Sequence, residues 1–121
     1  MLEVVFYRDS QDRLSSVFAR GHADFAQHGE DIVCAAVSAI LQALRLGLET
    51  YADLPLDASQ ESGEFHLRWP EGARDDAAVK AIVTTAELSV ERIASQYPQH
   101  VKFSRELDRR ATPRGINWYG A

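Results

Sequence analysis

The feature that most constrains the fold is a long apolar helix pattern that starts at Asp31 and runs to about Tyr51. Apolar side chains that need burial recur almost all round it: Ile32, Val33, Ala36, Val37, Ile40, Leu41, Leu44 and Leu48. The polar side chains recur at helical spacing and form one stripe: Ser38, Gln42, Arg45 and Glu49. Cys34 lies one turn before Ser38 on the same stripe, which predicts that its thiol faces the open side of the helix. Such a helix is either central in a small domain or shared with a second subunit.

Strand patterns lie on both sides of this helix. Residues 2–8 alternate as a strand with one buried face, and residues 14–20 follow a turn cluster as its hairpin partner. The later elements are a short strand at Leu54–Ala58, a strand from Glu64 to Trp69, a helix from about Arg74 to Gln96 and a strand from Val101 to Ser104. The strand from Glu64 alternates, with Glu64, His66 and Arg68 on its polar face, and Asp75 and Asp76 suit the N-terminus of the helix that follows. The order ββαββαβ predicts an α+β fold, with two helices on a mixed sheet.

The 121 residues are enough for one domain, which we place at residues 1–104. Residues 105–121 lose periodicity and are predicted to form a partly disordered C-terminal extension. An alternative role for the arginines of this extension, together with Trp118 and Tyr119, is contact with RNA.

Composition excludes several classes of protein. Thirteen basic and 18 acidic residues give a net charge of −5, which argues against binding through nucleic-acid phosphates and suits a basic protein partner. The single cysteine excludes an intramolecular disulfide. The N-terminus lacks a signal-peptide pattern, and Ser38, Gln42 and Arg45 interrupt the longest apolar stretch. We therefore predict a cytoplasmic protein outside the membrane.

The only cysteine lies near the predicted helix start. If Asp31 is the N-cap, Cys34 is the third helical residue, where the positive end of the helix dipole favours the thiolate. His22 follows Gly21 at the end of a predicted strand and would add a proton acceptor. These are the parts of an activated sulfur nucleophile. The alternative is that Cys34 is a small buried apolar side chain.

Two other interpretations concern neighbouring side chains. Ser38 lies one turn after Cys34, where it would shape a substrate groove or simply bond back to the Cys34 carbonyl. A zinc site would need His22, His28 and Cys34 with an adjacent carboxylate, but their spacing matches no compact ligand pair. We predict no metal and no cofactor.

The segment Gly21-His22-Ala23, followed by Gly29-Glu30-Asp31-Ile32-Val33-Cys34-Ala35-Ala36-Val37-Ser38-Ala39, resembles the signature of the bacterial ribosomal-processing cysteine proteases, Prp. The resemblance extends from Tyr7-Arg8 to Gln96-Tyr97-Pro98. It implies a cysteine endopeptidase with Cys34 as nucleophile and His22 as general base. It also implies a homodimer that removes a short N-terminal extension from the twenty-seventh large-subunit ribosomal protein.

The family's substrate has apolar residues ahead of the cut, so the resemblance implies an apolar groove beside Cys34, with Phe25 as a candidate lining residue. Backbone N–H groups at the start of the helix are candidate donors to the oxyanion, that of Cys34 included. Asp24 and Asp31 are candidates to orient His22. The loop over residues 23–30 either closes over a bound peptide or is a plain connector.

Two rival functions differ from the peptidase in whether they require His22 and Cys34. A non-catalytic, ribosome-associated interaction module would need neither His22 nor Cys34. A redox-sensing thiol protein would use Cys34 without His22. The presence of both residues favours the peptidase.

Overall fold

The computed structural model describes residues 1–21, 28–61 and 63–109, without the side chains of residues 28–31. The strands are β1 Leu2–Arg8, β2 Leu14–Arg20, β3 Asp57–Glu61, β4 Glu64–Arg68 and β5 Val101–Leu107. The helices are α1 His28–Leu46, which continues as a π-helical segment Gly47–Tyr51, a short 3-10 turn Glu71–Ala73, and α2 Ala77–Gln96. The predicted α+β fold and the ββαββαβ order are confirmed.

The five strands form one mixed sheet in the order β3-β4-β2-β1-β5. Strand β1 is antiparallel to β2 and parallel to β5. Because side chains alternate across a strand, the register places Phe6, Val17 and Leu67 side by side on one face. This face packs against both helices in a single apolar core. The predicted hairpin from β1 to β2 is present. Strands β3 and β5 form the two edges of the sheet.

Helix α1 contributes one row of buried side chains to this core: Val33, Val37, Leu41, Leu44 and Leu48. Successive members of this row are three or four residues apart, which places them on one face of the helix. Gly47 lets α2 approach closely, because a Cβ at this position would lie 3.3 Å from Ile82. The sheet and α2 together therefore cover one side of α1.

The prediction that α1 is buried all round is wrong. Ile32 is 72% exposed, Ile40 is only partly buried, and Leu46 is 62% exposed. Exposed apolar side chains recur at spacings of three and four residues and form the apolar stripe of α1: Ile32, Ala35, Ala39, Ala43 and Leu46. The sheet lies on the opposite side of the helix, so these side chains do not pack into the apolar core of the described residues.

The Ile32–Tyr51 segment is long and apolar enough, by length and composition, to cross a membrane. A helix that packs into the core of a globular domain passes the same test, and one row of α1 packs in this way. Length and apolarity therefore do not assign this helix to a membrane. The prediction that the chain stays outside the membrane remains a prediction.

Several element boundaries differ from the predicted ones. Strand β3 begins at Asp57 rather than Leu54, because the strand is defined by its pairing with β4 and not by its own sequence pattern. Helix α2 begins at Ala77 rather than Arg74, after Asp76, whose carboxylate accepts hydrogen bonds from the backbone N–H groups of the first turn. The predicted acidic start of this helix is therefore an N-cap.

Strand β5 extends to Leu107, beyond the predicted domain end at residue 104, because its parallel pairing with β1 continues to that residue. Asp108 follows and is buried in an ion pair with Arg68. Arg68 was predicted on the polar face of its strand, and this charge pair explains why it is buried instead. Residues 110–121 lie outside the described part of the chain.

Candidate active site

The Cys34 side chain is half-buried on α1. It opens into a cavity of about 260 Å³ between this helix and the end of the sheet at which β2 and β3 finish. We call this cavity the site groove. Ser38 and Gln42, one and two turns further along α1, line the same groove. The prediction that Cys34 shares the open side of the helix with these polar residues is therefore confirmed.

The groove has an apolar floor and a polar rim. The floor is formed by side chains of the core: Leu2, Ala19, Val37, Leu41 and Phe65. The rim carries polar and charged residues from α1 and from the strand ends: Arg20, Ser38, Gln42, Gln60, Glu61 and Glu64. An apolar pocket with a few polar groups at its edge is typical of a site that binds a small molecule or a peptide segment.

The rim is acidic at the turn between β3 and β4. Glu61 and Glu64 are cross-strand neighbours, and like charges in such a pair repel each other. Arg20, the one basic side chain among the described residues of the rim, donates to Glu3 across 3.3 Å. The charges at the groove mouth therefore favour a neutral or basic ligand.

The prediction that Asp31 caps α1 is wrong, because the helix begins at His28. Acidic residues favour the first turns of a helix whether or not they cap it, so the sequence did not distinguish these positions. Counted from His28, Cys34 is the seventh helical residue, and its N–H falls within the intrahelical hydrogen bonds. The helix dipole acts mainly within the first turn, so it contributes less to thiolate formation than predicted.

Gly21 ends β2 in a conformation that favours glycine, with φ of 106°. A Cβ there would lie 2.4 Å from the Met1 carbonyl oxygen. The Gly21 N–H donates to the carbonyl of Gly63, which lines the site groove. Gly21 is thus fixed to the edge of the groove, and the chain continues from it directly into His22.

The remaining predicted residues are only partly described. His22, Asp24 and Phe25 lie outside the described residues, as does the side chain of Asp31. Ser38 is exposed on the groove rim. Among the described residues, no group of three histidine, cysteine or carboxylate side chains is arranged to hold a metal ion.

Sequence reasoning missed the contribution of β3 and β4 to the groove. Gln60 and Gly63 lie near the turn between these strands, where the only local signal is the Ser62-Gly63 dipeptide, which is typical of a turn. The turn predicts a hairpin but not where its tip packs. Its place beside Cys34 follows from the pairing of β4 with β2, which joins residues far apart in the chain.

The sequence model of a family described as cysteine protease Prp matches residues 1–102. The ribosomal processing cysteine protease Prp of Bacillus subtilis is 27% identical over 111 residues, which cover 88% of this chain and 99% of that protein. The protein of the same name from Staphylococcus aureus is 26% identical over 106 residues, 86% of this chain and 98% of that protein.

Solved structures share the fold. A crystal structure from Streptococcus mutans has a TM-score of 0.80 at 26% identity and covers 89% of this chain and 99% of its own. That of the essential ribosomal processing protease Prp from S. aureus, in complex with a substrate peptide, has a TM-score of 0.78 at 24% identity and covers 87% and 99%. Because the family's sequence model matches well over half of its length, the chain belongs to the Prp family of cysteine proteases.

Proposed function

We propose that this chain is a cysteine endopeptidase that cleaves the precursor of a ribosomal protein, with Cys34 as its nucleophile and His22 as its general base. One observation carries the assignment. The only cysteine of a chain that belongs to a cysteine protease family lines a groove with an apolar floor and a polar rim. A peptide could lie in this groove with its carbonyl carbon next to the thiol.

The chemistry requires a base beside Cys34. His22 would take the thiol proton, and the thiolate would attack the scissile carbonyl to form a tetrahedral intermediate. The imidazolium would then donate that proton to the leaving amine, and water would hydrolyse the resulting thioester. The position of Gly21 supports this role, because one peptide unit of about 3.8 Å separates its Cα from that of His22.

The names of the relatives support the proposed class of substrate. Curated members of the family are named ribosomal processing proteases, and we propose the N-terminal extension of the twenty-seventh large-subunit ribosomal protein as the segment removed here. The apolar floor, with Leu41 and Phe65, suits an apolar side chain of that segment. Phe25 remains a proposed lining residue, and Ser38 and Asp31 remain proposed supporting residues.

The test is cleavage of the host's own ribosomal precursor by the wild type, Cys34→Ala and His22→Ala, followed by mass spectrometry. We expect cleavage by the wild type and a loss of about a thousandfold or more in each variant. The matched control is His66→Ala, which removes a histidine of β4 that does not line the groove and should retain wild-type activity.

Two results would contradict parts of the proposal. If the wild type leaves the precursor intact while iodoacetamide labels Cys34 rapidly at neutral pH, the nucleophile is supported and the substrate is wrong. If Cys34 is also unreactive, the interaction module replaces the peptidase. A labelling rate that falls in His22→Ala would support the pairing of the two residues.

We further propose that the protein is a cytoplasmic homodimer and does not bind nucleic acid directly. The apolar stripe of α1 supports the dimer, because this face lies exposed in the single chain. A second copy would cover it, and sedimentation velocity of the purified protein measures the assembly. We also propose that the catalytic domain ends at Asp108, after β5, and that a C-terminal extension follows it.

A further inference from the structure

Two glutamine side chains meet across the rim of the site groove. The Nε2 of Gln42, on α1, donates a hydrogen bond of 3.1 Å to the Oε1 of Gln60, on β3. Both residues are exposed and both line the groove that contains Cys34. We call this pair the amide bridge. The bond joins α1 to the sheet, and both of its side chains are exposed.

The amide bridge lies at a defined distance from the nucleophile. Cys34, Ser38 and Gln42 follow one another at intervals of four residues, so they lie along one side of α1. At 1.5 Å per residue, Gln42 lies about 12 Å along the helix axis from Cys34. An extended peptide rises about 3.3 Å per residue, so this distance corresponds to about four peptide residues.

The bridge also has the hydrogen-bonding groups that a peptide main chain needs. Each carboxamide has two N–H donors and one carbonyl oxygen, and the bond between them uses only one donor and one lone pair. The remaining groups are the same N–H and C=O functions that a strand presents to a neighbouring strand. Because they carry no charge, they can bind a main chain whatever its side chains are.

We propose that Gln42 and Gln60 are positioning residues that bind the main chain of the substrate peptide about four residues from the scissile bond. This inference rests on the proposed peptidase function. It assigns the far end of the groove to main-chain binding and leaves side-chain selection to the apolar floor. Residues that bind a remote part of the substrate strengthen its binding in the ground state and in the transition state alike.

The proposal predicts an effect that depends on peptide length. A peptide that ends before the amide bridge gains nothing from it, whereas a longer peptide gains one or two hydrogen bonds. A net hydrogen bond of typical strength corresponds to a factor of about two to ten in binding. Since these contacts persist from the bound substrate to the transition state, most of the change should fall on KM and little on kcat.

The experiment uses synthetic peptides that contain the scissile bond and two, four or six residues on its N-terminal side, and a second series extended on its C-terminal side. They are tested with the wild type, Gln42→Ala, Gln60→Ala and the double variant. The control is Gln11→Ala, which removes an exposed glutamine from the turn between β1 and β2. Thermal unfolding monitored by circular dichroism verifies that every variant is folded.

In one of the two series, we expect kcat/KM of the wild type to rise as the peptide reaches four residues. Each glutamine variant should lose about two- to tenfold on the longer peptides and nothing on the shortest. The double variant should lose less than the product of the single losses, because the two side chains act together. Equal behaviour of wild type and variants at every length in both series would overturn the inference and leave the proposed function intact.

A second readout does not depend on turnover. Peptides of the same lengths that carry a chloroacetyl group alkylate Cys34 with release of chloride, and the second-order rate constant reports how well each peptide is held. If the wild type cleaves no peptide, the proposed function fails, and this labelling still decides the inference. A length-dependent rate that is lost in the glutamine variants supports the amide bridge, and a rate independent of length overturns it.

Discussion

The two ends of the β-sheet are built in different ways. At the end where β1 and β4 finish and β2 begins, buried charges pair with one another. At the opposite end, where β2 and β3 finish, polar side chains surround an open groove that contains Cys34. We call these the paired end and the groove end.

The paired end contains two sets of buried ions. The carboxylate of Asp9 accepts hydrogen bonds from the side chains of Arg13 and Arg74, and Arg74 also donates to the carbonyl of Trp69. Asp108 pairs with Arg68 and holds the end of β5. All of these side chains except Arg13 are almost fully buried. Removing one partner would leave the other charge buried and unpaired.

The groove end leaves its polar groups at the surface. Glu61 and Glu64 face each other in register, and Gln42 and Gln60 share one exposed hydrogen bond. Both glutamines are exposed, so their remaining polar groups are accessible to a ligand. The comparison therefore places buried charge pairs at one end of a small sheet and the exposed polar groups of the proposed site at the other.

The largest predicted effect on stability concerns Asp9→Asn at the paired end. The variant removes the charge that neutralises buried Arg74, so the free energy of unfolding should fall by about 3 to 5 kcal/mol. Urea unfolding measures the change. The rate of Cys34 alkylation in the folded protein should stay within about twofold of the wild type, because, among the described residues, the two ends share no contact that this variant removes. A much larger change would show that the two ends of the sheet are energetically coupled.

The matched control is Asp12→Asn in the same turn. The Asp12 side chain is 89% exposed and lies 3.9 Å from Arg8, so its ion pair is screened by solvent. Asparagine also tolerates the positive φ of 64° at this position. The loss of stability should be below about 1 kcal/mol. A loss as large as that of Asp9→Asn would show that burial does not decide the effect.

A second prediction concerns pH. Burial by itself would raise the pKa of Asp9, but the hydrogen bonds from Arg13 and Arg74 outweigh it, so the pKa lies below the ordinary value of 3.8. The unfolded chain therefore binds this proton first as the pH falls. The stabilisation is fully present above pH 3.8 and is lost as the pH falls through the folded-state pKa.

Urea midpoints measured from pH 7 down to pH 2.5 test this prediction. Asp9→Asn has no proton to bind at this position, so its stability should fall less steeply in the acid range than that of the wild type. Parallel curves for the two proteins would show that Asp9 does not contribute to the acid sensitivity.

A third and smaller effect is predicted where β2 ends at the groove. Gly21→Ala places a Cβ 2.4 Å from the Met1 carbonyl in a backbone with positive φ, and should lower stability by about 2 to 3 kcal/mol. The control is Gly63→Ala. Its φ is also positive, at 79°, but no atom of the described residues other than its chain neighbours lies within 4 Å of the added Cβ, so about 1 kcal/mol is expected.

Thermal unfolding compares the two alanine variants. The same pair of variants also tests the groove, because Gly21 leads directly into His22. We expect Gly21→Ala to reduce cleavage more than Gly63→Ala does. Equal losses of stability would show that Met1 moves aside without cost, and that only the backbone conformation matters.

Much of the fold could be predicted from local patterns. Alternating apolar residues located β1 and β4, the turn cluster after β1 located β2 as its hairpin partner, and helical spacing located α1 and α2. The ends of helices and strands were predicted less reliably where one sequence pattern is compatible with two structures. Asp31 matched an N-cap, but an acidic residue within the first helical turns produces the same pattern. Strand β3 has no apolar alternation, so only its partner strand defines its limits.

The candidate site could be predicted only in part. The polar stripe of α1 correctly indicated that Cys34, Ser38 and Gln42 share one open side. Nothing in the sequence indicated that Gln60 would face that stripe, because this contact depends on how a hairpin packs against the helix. The burial of Arg68 was missed for the same reason: its partner, Asp108, lies 40 residues away in the chain.

The sequence by itself determined the order of the elements and the family to which the chain belongs. These properties are local, since periodicity and motif spacing depend only on residues that lie close together in the chain. The tertiary structure alone decided which charges are buried together and which polar groups surround Cys34. Such contacts join residues that are distant in the chain and leave no periodic trace, so they become visible only when the strands are paired and the helices are packed.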